Sequence, residues 1–296
     1  MPDNLVKTVS IDKTGNIWIV TGDCFTGGVV MCYKNNTFIK YDTTDGIPDR
    51  FVTCIAFDST GNIWFGSRYH GISCFDGKKW FNYNPANSNF PDKHVRSIAV
   101  DKNNRIWACT DNGLACFYKG KWDVMNKTNS ALPDNGVNSI AFSKKTNEIW
   151  IATDKGLLWA YDVGAIKQMI NVAPIVYSAK TSKLPDNLTY QVIIDENDNV
   201  WISCWGGIVK IEKGVWNVMT PKNSKLPDFV EYIMTMHNDE LWIATNTGLY
   251  IMKNKEWSIL TPSNSAIPDF FVNKVAFDKE GNAWIATQSG LVKMKE

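Results

Sequence analysis

The sequence predicts an all-β fold: a seven-bladed β-propeller of four-stranded antiparallel blades, with three strands in the last blade. Three observations carry that expectation. Tryptophan recurs in one setting at Trp18, Trp64, Trp107, Trp150, Trp201, Trp242 and Trp284, at spacings of 46, 43, 43, 51, 41 and 42 residues. Pro-Asp recurs with it, beginning at Pro2, Pro48, Pro91, Pro133, Pro185, Pro227 and Pro268. Between these markers lie short runs of Val, Ile, Trp and Phe separated by Gly, Asn and Asp, the composition of strands and tight turns.

Every unit has the same internal order. After Pro-Asp comes an apolar run, Val95-Arg96-Ser97-Ile98-Ala99-Val100 in unit three, read as the first strand. A turn such as Asp58-Ser59-Thr60-Gly61-Asn62 leads into the Trp strand, where Gly and Asn accept positive φ. A second turn ends in Gly before an aliphatic residue, as in Asp111-Asn112-Gly113-Leu114, and opens the third strand. A third turn, Asp76-Gly77-Lys78-Lys79 in unit two, precedes a fourth strand that starts near Phe38, Trp80, Trp122, Trp216 or Trp257. A polar loop such as Pro221-Lys222-Asn223-Ser224-Lys225-Leu226 returns to the next Pro-Asp. The units fall near 1–46, 47–89, 90–131, 132–183, 184–225, 226–266 and 267–296, within one domain spanning 1–296. Unit one has an enlarged second turn at Gly22-Asp23-Cys24-Phe25-Thr26-Gly27-Gly28. Unit four carries an insertion between Trp159 and Pro185, and Val163 to Met169 within it holds the one trace of helical periodicity.

A β-helix needs shorter coils, and a helical solenoid needs amphipathic helices. An open row of meanders would leave apolar faces exposed at its ends, whereas a closed ring buries both faces of every sheet. The seven recurring Trp then pack between blades, each burying about 150–250 Å². Unit seven stops in its third strand at Gly290-Leu291-Val292-Lys293-Met294-Lys295, and no strand before Pro2 completes it. The expected closure is therefore by side-chain packing, at the weakest seam of the ring.

Composition narrows the function. The 296 residues hold 31 basic and 30 acidic side chains, a net charge of +1, which removes the electrostatic case for nucleic acid or an anionic membrane surface. Apolar residues make up 44% and charged residues 21%, enough for a substantial core. No apolar run approaches the roughly 18 residues of a membrane span, and Met1-Pro2-Asp3-Asn4 opens no signal-peptide core. Cys32, Cys74 and Cys116 share one repeat position, so neighbouring copies lie about 10 Å or more apart, beyond disulfide reach. With Cys54, Cys109 and Cys204 inside strands, and Cys24 exposed in a turn, free thiols are expected. Such thiols suit a reducing compartment or an anaerobe's periplasm.

The pattern resembles the two-component regulator propeller repeat. The residues that carry the resemblance are Asp278-Lys279-Glu280-Gly281-Asn282-Ala283-Trp284-Ile285-Ala286-Thr287-Gln288-Ser289-Gly290-Leu291 and Asn264-Ser265-Ala266-Ile267-Pro268-Asp269, and equivalents recur seven times. WD-repeat, kelch and sialidase signatures do not recur in this way. The resemblance implies a sensor module, periplasmic or extracellular, of the kind that responds to oligosaccharides in hybrid two-component systems, with a signalling protein as partner. The membrane helix, kinase modules and second propeller usual in that family have no counterpart in the chain.

A site is expected where the repeat is broken. The loops between strands two and three, and from strand four to the next unit, share the face that carries Pro-Asp. On it, units two and three concentrate Arg50, Arg68, Tyr69, His70, Lys93, His94 and Arg96. The counterparts of Arg96 are Lys7, Thr53, Asn138, Tyr190, Tyr232 and Asn273, a polar and aromatic series that suits a tunnel lining. Units five and six add Tyr190, Trp205, Glu231 and Tyr232. A cationic wall and an aromatic wall together would take a polar small molecule or oligosaccharide, acidic ones included, through Arg–carboxylate forks and sugar stacking. The plainer reading is that the cations decorate solvated loops. No cofactor, metal or catalytic residue is assigned: His70 and His94 lack a ligand motif, and no phosphate loop or nucleophile elbow is present. Streptogramin lyase, a propeller enzyme, shares the architecture but not the strand motifs. The alternatives to a ligand module are a protein-interaction scaffold and, less well supported, a lyase or glycan-processing enzyme.

Overall fold

Each repeat folds into one antiparallel sheet whose strands are hydrogen-bonded in sequence order. The computed structural model describes residues 4–22, 25–47, 49–161, 174–228 and 232–295. Blade one comprises β1 (Val6–Ile11), β2 (Ile17–Thr21), β3 (Val30–Lys34) and β4 (Thr37–Tyr41). Blade two comprises β5 (Val52–Phe57), β6 (Ile63–Ser67), β7 (Ile72–Phe75) and β8 (Trp80–Tyr83). Blade three holds β9 (Val95–Val100), β10 (Ile106–Thr110), β11 (Gly113–Tyr118) and β12 (Lys121–Met125). Blade four holds β13 (Val137–Phe142), β14 (Glu148–Thr153), β15 (Gly156–Tyr161) and β16 (Ile175–Tyr177). Blade five is β17 (Thr189–Ile194), β18 (Val200–Cys204), β19 (Gly207–Glu212) and β20 (Val215–Met219). Blade six is β21 (Ile233–His237), β22 (Glu240–Thr245), β23 (Gly248–Lys253) and β24 (Glu256–Leu260). Blade seven has three strands, β25 (Val272–Phe277), β26 (Ala283–Thr287) and β27 (Gly290–Met294). The fold is thus the all-β, seven-bladed propeller with an open last blade that the repeats predict. No helix long and apolar enough to cross a membrane occurs among the described residues. The possible helical trace at Val163 to Met169 lies outside them, as does Cys24.

The chain divides into two compact units. One is Met1–Tyr69, Ser73–Phe81 and Ile233–Glu296, and the other is His70–Ile72 with Asn82–Tyr232. In the first, Trp18, Val20, Ile47, Val52 and Phe65 form the core between blades one and two, and Trp242, Leu249, Val272 and Ile285 form that between six and seven. In the second, Trp107, Leu114, Val137 and Ile151 pack between blades three and four, and Trp150, Leu157, Val192 and Ile202 between four and five.

The Trp strand is buried on both faces in every blade. Its indole N–H must therefore find an acceptor inside the protein, because a buried unpaired donor is destabilising by about 1–3 kcal/mol. An Asp six residues upstream supplies it in five blades: Asp12, Asp58, Asp101, Asp195 and Asp278 accept from Trp18, Trp64, Trp107, Trp201 and Trp284 at 2.9–3.2 Å. The same carboxylates tie the turn, as Asp58 does by accepting from the Thr60 and Asn62 backbone N–H groups. Units four and six have no Asp at that spacing. There Glu148 and Glu240, two residues before the Trp, accept from Trp150 at 3.4 Å and Trp242 at 3.0 Å.

Pro-Asp is also scaffold. In Asp49, Asp92, Asp134, Asp186 and Asp269 the side chain accepts from the backbone N–H two residues on, at 2.8–3.0 Å, which turns the chain into the innermost strand. The apolar residue before it, Ile47, Phe90, Leu132, Leu184, Leu226 or Ile267, is buried as a plug.

Closure uses the chemistry of an internal seam. Asn273 Nδ2 donates to the Val6 carbonyl at 2.7 Å, just as Asn138 at the same repeat position donates to the Thr189 carbonyl at 2.7 Å. Trp284 packs with Val6, Val9, Ile17, Ile19 and Met31, and its ring lies 5.9 Å from that of Tyr33.

The six described cysteines are thiols outside any disulfide. Burial pushes the Cys32 thiol up to about 11, aided by Asp12 and opposed by Lys34, and pushes Cys74 and Cys204 up to about 12. At pH 8 these three thiols should alkylate with iodoacetamide at least about 100-fold more slowly than in denaturant, because the thiolate is the nucleophile. Peptide mapping of the alkylated cysteines checks this site by site.

Burial acts to raise the carboxylates of Asp12, Asp58 and Asp278, but their hydrogen bonds outweigh it and lower all three, Asp278 to about 2. A group depressed in the folded state contributes stability above its unfolded pKa, near 4, and loses it as pH falls through the folded value. Melting temperature should therefore change little with these groups from pH 7 to 5 and drop between about 4 and 2. Asp58→Ala, which strands the Trp64 indole, should lower unfolding stability by about 2–4 kcal/mol in urea titrations at pH 7. A flat acid profile together with an unchanged Asp58→Ala midpoint would refute the role assigned to these carboxylates.

Candidate ligand-recognition site

Two positions per blade vary freely at the Pro-Asp end while the scaffold around them repeats. One is the second residue of the innermost strand. The other is the first residue after the Trp strand, whose backbone N–H donates to the loop behind Pro-Asp: Arg68 to Phe51, Asp154 to Gly136, Trp205 to Leu188 and Gln288 to Phe271, at 2.9–3.1 Å. In blades three, four and five the two positions hold Arg96 with Asp111, Asn138 with Asp154, and Tyr190 with Trp205.

The blade-three and blade-four side chains form one network. Arg96 Nε donates to Asp111 Oδ1 at 2.5 Å, while its Nη1 donates to Asp154 Oδ1 at 2.7 Å and to Asn138 Oδ1 at 2.5 Å. His94 Nδ1 lies 2.9 Å from Asp111 Oδ2. Asn138 Nδ2 is shared between Asp154 Oδ1 at 2.9 Å and the carbonyl of Thr189, the residue before Tyr190. The chain of contacts therefore runs from His94 in blade three to the first strand of blade five. Thr189 is itself fixed, accepting from the Thr153 N–H and donating to the Thr153 carbonyl.

Burial opposes the charge on Arg96, but hydrogen bonds from its guanidinium to Asp154 and Asp111 more than compensate and raise its pKa. Burial likewise works against Asp111, and the contacts with His94 and Arg96 hold it low. Two carboxylates thus flank one guanidinium, and both acidic side chains stay more exposed than the cation between them. Gly136 makes room for it: a Cβ there would lie 2.1 Å from Asp154 Oδ2. Beside the Asp111 turn, a cavity of about 570 Å³ is lined by Asn89, Phe90, Asn112, Asp123, Asn126 and Asn129 among others.

Of the residues singled out in the sequence, His94 and Arg96 meet at Asp111, and Tyr190 and Trp205 share the loop end of blade five. Trp205 is 40% exposed and Tyr190 half-buried. Tyr232 is fully buried, and its hydroxyl donates to the Pro227 carbonyl at 2.7 Å. His70 is exposed. Glu231 lies outside the described residues. Arg50, Arg68 and Tyr69 belong to the other compact unit. There Arg68 lies over the Tyr69 ring at 5.7 Å, Tyr69 meets Phe51 edge-on at 5.0 Å, and the Arg50 carbonyl accepts from Gly28. Sequence reasoning missed Asp111 and Asp154. Both stand at the repeat position of Arg68 and Trp205, so aligning the residue after each Trp strand would have exposed them.

Among the described residues, no group of three or more His, Cys, Asp or Glu is placed to hold a metal ion. No curated protein matches the chain by sequence. Among solved structures, the chain is similar over its full length to the extracellular domain of BT3049, a candidate hybrid two component system from B. thetaiotaomicron, at 23% identity and a TM-score of 0.81. It is similar over 99% of its length to PorZ, a surface component of the type-IX secretion system of Porphyromonas gingivalis, at 16% identity and TM-score 0.75. It spans 39% of the first of those chains and 46% of the second. Streptogramin B lyase matches at 16% identity and TM-score 0.75, with 99% of this chain and 94% of that one covered. Identities this low establish the fold alone. The two component regulator propeller family matches directly at residues 46–69 and 89–112, the segments running from the end of one unit through Pro-Asp and the Trp strand of the next. The chain is accordingly a propeller that carries the two component regulator propeller repeat in those two segments.

Proposed function

We propose that this propeller is the ligand-recognition part of a sensor, binding a neutral polar ligand of the oligosaccharide class at the loop end of blades three to five. The carrying observation is the Arg96 network, in which non-repeating polar side chains of blades three and four are held in place and tied to the backbone of blade five. Its exposed functions are carboxylate and amide oxygens, which match sugar hydroxyl donors better than they match an anion, because Arg96 is already paired with Asp111 and Asp154. Trp205 supplies a half-exposed ring for the apolar face of a sugar, and the amide-lined cavity beside Asn112 extends the polar surface outward. The likeness to the extracellular domain of a hybrid two component system supports a sensory role and an extracytoplasmic setting, with a signalling protein receiving the output.

A melting screen across neutral and acidic oligosaccharides, followed by calorimetry, tests the reading. A true ligand at about 100 times its Kd should stabilise the fold by about 2.7 kcal/mol. Trp205→Ala should weaken binding roughly 10-fold, equal to about 1.4 kcal/mol. Gly136→Ala should displace the Asp154 carboxylate from Arg96 and weaken binding by a similar factor, with a melting change of only about 1–2 °C. Failure of every oligosaccharide to shift melting, or wild-type affinity in both variants, would remove the proposal.

A further inference from the structure

The third residue of the innermost strand can tie its blade to the next one. Ser97 and Ser139 stand there, and their hydroxyls donate to the Asn138 and Val192 carbonyls of the following blade at 2.7 and 3.4 Å. Register puts Lys274, Thr8 and Cys54 at the same position in blades seven, one and two, each opposite the second residue after the Trp: Ala286, Val20 and Gly66. All three belong to one compact unit. Here the tie is given up. Lys274 is half-buried and has neither a hydrogen bond nor an ion pair with a described residue, and the buried Thr8 hydroxyl has no described partner. Cys54 accepts from the Thr53 hydroxyl at 3.6 Å. Asn273, just before Lys274, bonds the Val6 carbonyl, just before Lys7, at 2.7 Å, which sets the two lysine-bearing segments side by side.

An ammonium drawn out of water without a counter-charge is unfavourable, and folded proteins pair such groups or neutralise them. Arg96, one repeat position earlier in its own blade, shows the paired solution with Asp111 and Asp154. At Lys274, burial lowers the pKa and Cys54 acts in the other direction. Burial in turn pushes the Cys54 thiol up, against the Thr53 hydrogen bond, Lys274, the Gly66 backbone and Lys7. The thiol is therefore protonated at neutral pH and brings no negative charge to Lys274. Two ammonium groups act on this one point of the inner wall, and no described carboxylate is among the groups that act on Lys274 or Cys54. Cations and a hydroxyl donor without a described acid are the complement of an oxyanion, whose oxygens accept charge-assisted hydrogen bonds.

We infer that Lys274, Lys7 and Thr8 seat a small, doubly charged oxyanion, of the phosphate or dicarboxylate kind, on the innermost strands of blades seven, one and two. The Lys274 ammonium and the Thr8 hydroxyl donate to it, and Lys7 supplies the second positive charge. The anion is the counter-charge that Lys274 lacks among the described residues, and it sits beside the Asn273–Val6 bond that joins blades seven and one. The inference is independent of the oligosaccharide reading, because Arg96 and Trp205 belong to the other compact unit.

Calorimetry and melting of the intact chain at fixed ionic strength test it, with inorganic phosphate, sulfate and succinate as probes and chloride as the ionic-strength control. At least one of the three should bind saturably with a Kd below about 1 mM, and their order separates phosphate-like from carboxylate ligands. That anion at about 10 mM should raise the melting temperature by at least about 2 °C. Lys274→Met keeps the length of the side chain and removes its charge. It should weaken the anion at least about 10-fold and raise the melting temperature of the anion-free protein, because an uncompensated ammonium is gone. The same variant should leave any oligosaccharide affinity unchanged, so failure here is distinct from failure of that reading. No saturable binding of the three probes up to about 10 mM, equal anion affinity in Lys274→Met, or a lower anion-free melting temperature in that variant, which would reveal a partner for Lys274 within the protein, would each overturn the inference.

Discussion

The hydrogen bond from a buried indole N–H to a carboxylate is the constraint on which the rest of this structure depends. A tryptophan repeated in the most buried strand of every blade supplies the packing surface between sheets, and its one polar atom must be satisfied wherever that surface goes. Two solutions occur. In blades one, two, three, five and seven an Asp six residues upstream reaches the indole, and it ties the turn as well. Where the turn differs, in blades four and six, a Glu two residues upstream does the same from within the strand. In blade three the requirement draws in a cation as well. Arg105 donates to Asp101 and lies over the Trp107 ring at 5.4 Å, so the buried carboxylate is both paired and packed.

With these anchors holding the scaffold, two positions per blade carry the variety, although at one of them Asn138 and Asn273 also bond the neighbouring blade. Asp111, Asp154 and Trp205 make the same backbone bond or occupy the same turn, yet their side chains differ in charge, size and shape. The buried acceptors are spent on indoles and turns, while carboxylates at the loop end are spent on Arg96. The difference is one of place: Asp58 and Asp101 are buried, whereas the Asp111 side chain is 42% exposed.

How much was legible in the sequence follows from the range of each interaction. The blades, their strand order and the open seventh blade follow from local periodicity, since the turns, the plug before Pro-Asp and the Trp anchor all lie within one unit. The site is harder because its partners come from elsewhere. Arg96 meets Asp111 across 15 residues, Asn138 across 42 and Asp154 across 58, and nothing near Arg96 in the sequence announces that its charge is already matched. Tyr232 shows the reverse case. It stands at the variable position, but a phenol is long enough to reach back to the Pro227 carbonyl five residues away, and the ring is buried as a result.

The seventh blade separates two tasks that the other blades perform together. Ring closure depends on inner strands: Asn273 bonds the Val6 carbonyl, and Trp284 packs on Val6, Val9, Ile17 and Ile19, with Leu291 of β27 against the same cluster. Covering the third strand depends on the fourth, and in blade seven Leu291 and Val292 show the difference its absence makes. A propeller closed by exchanging a strand would combine the two tasks, since the strand that covers its last sheet would also be the one that holds the ring shut.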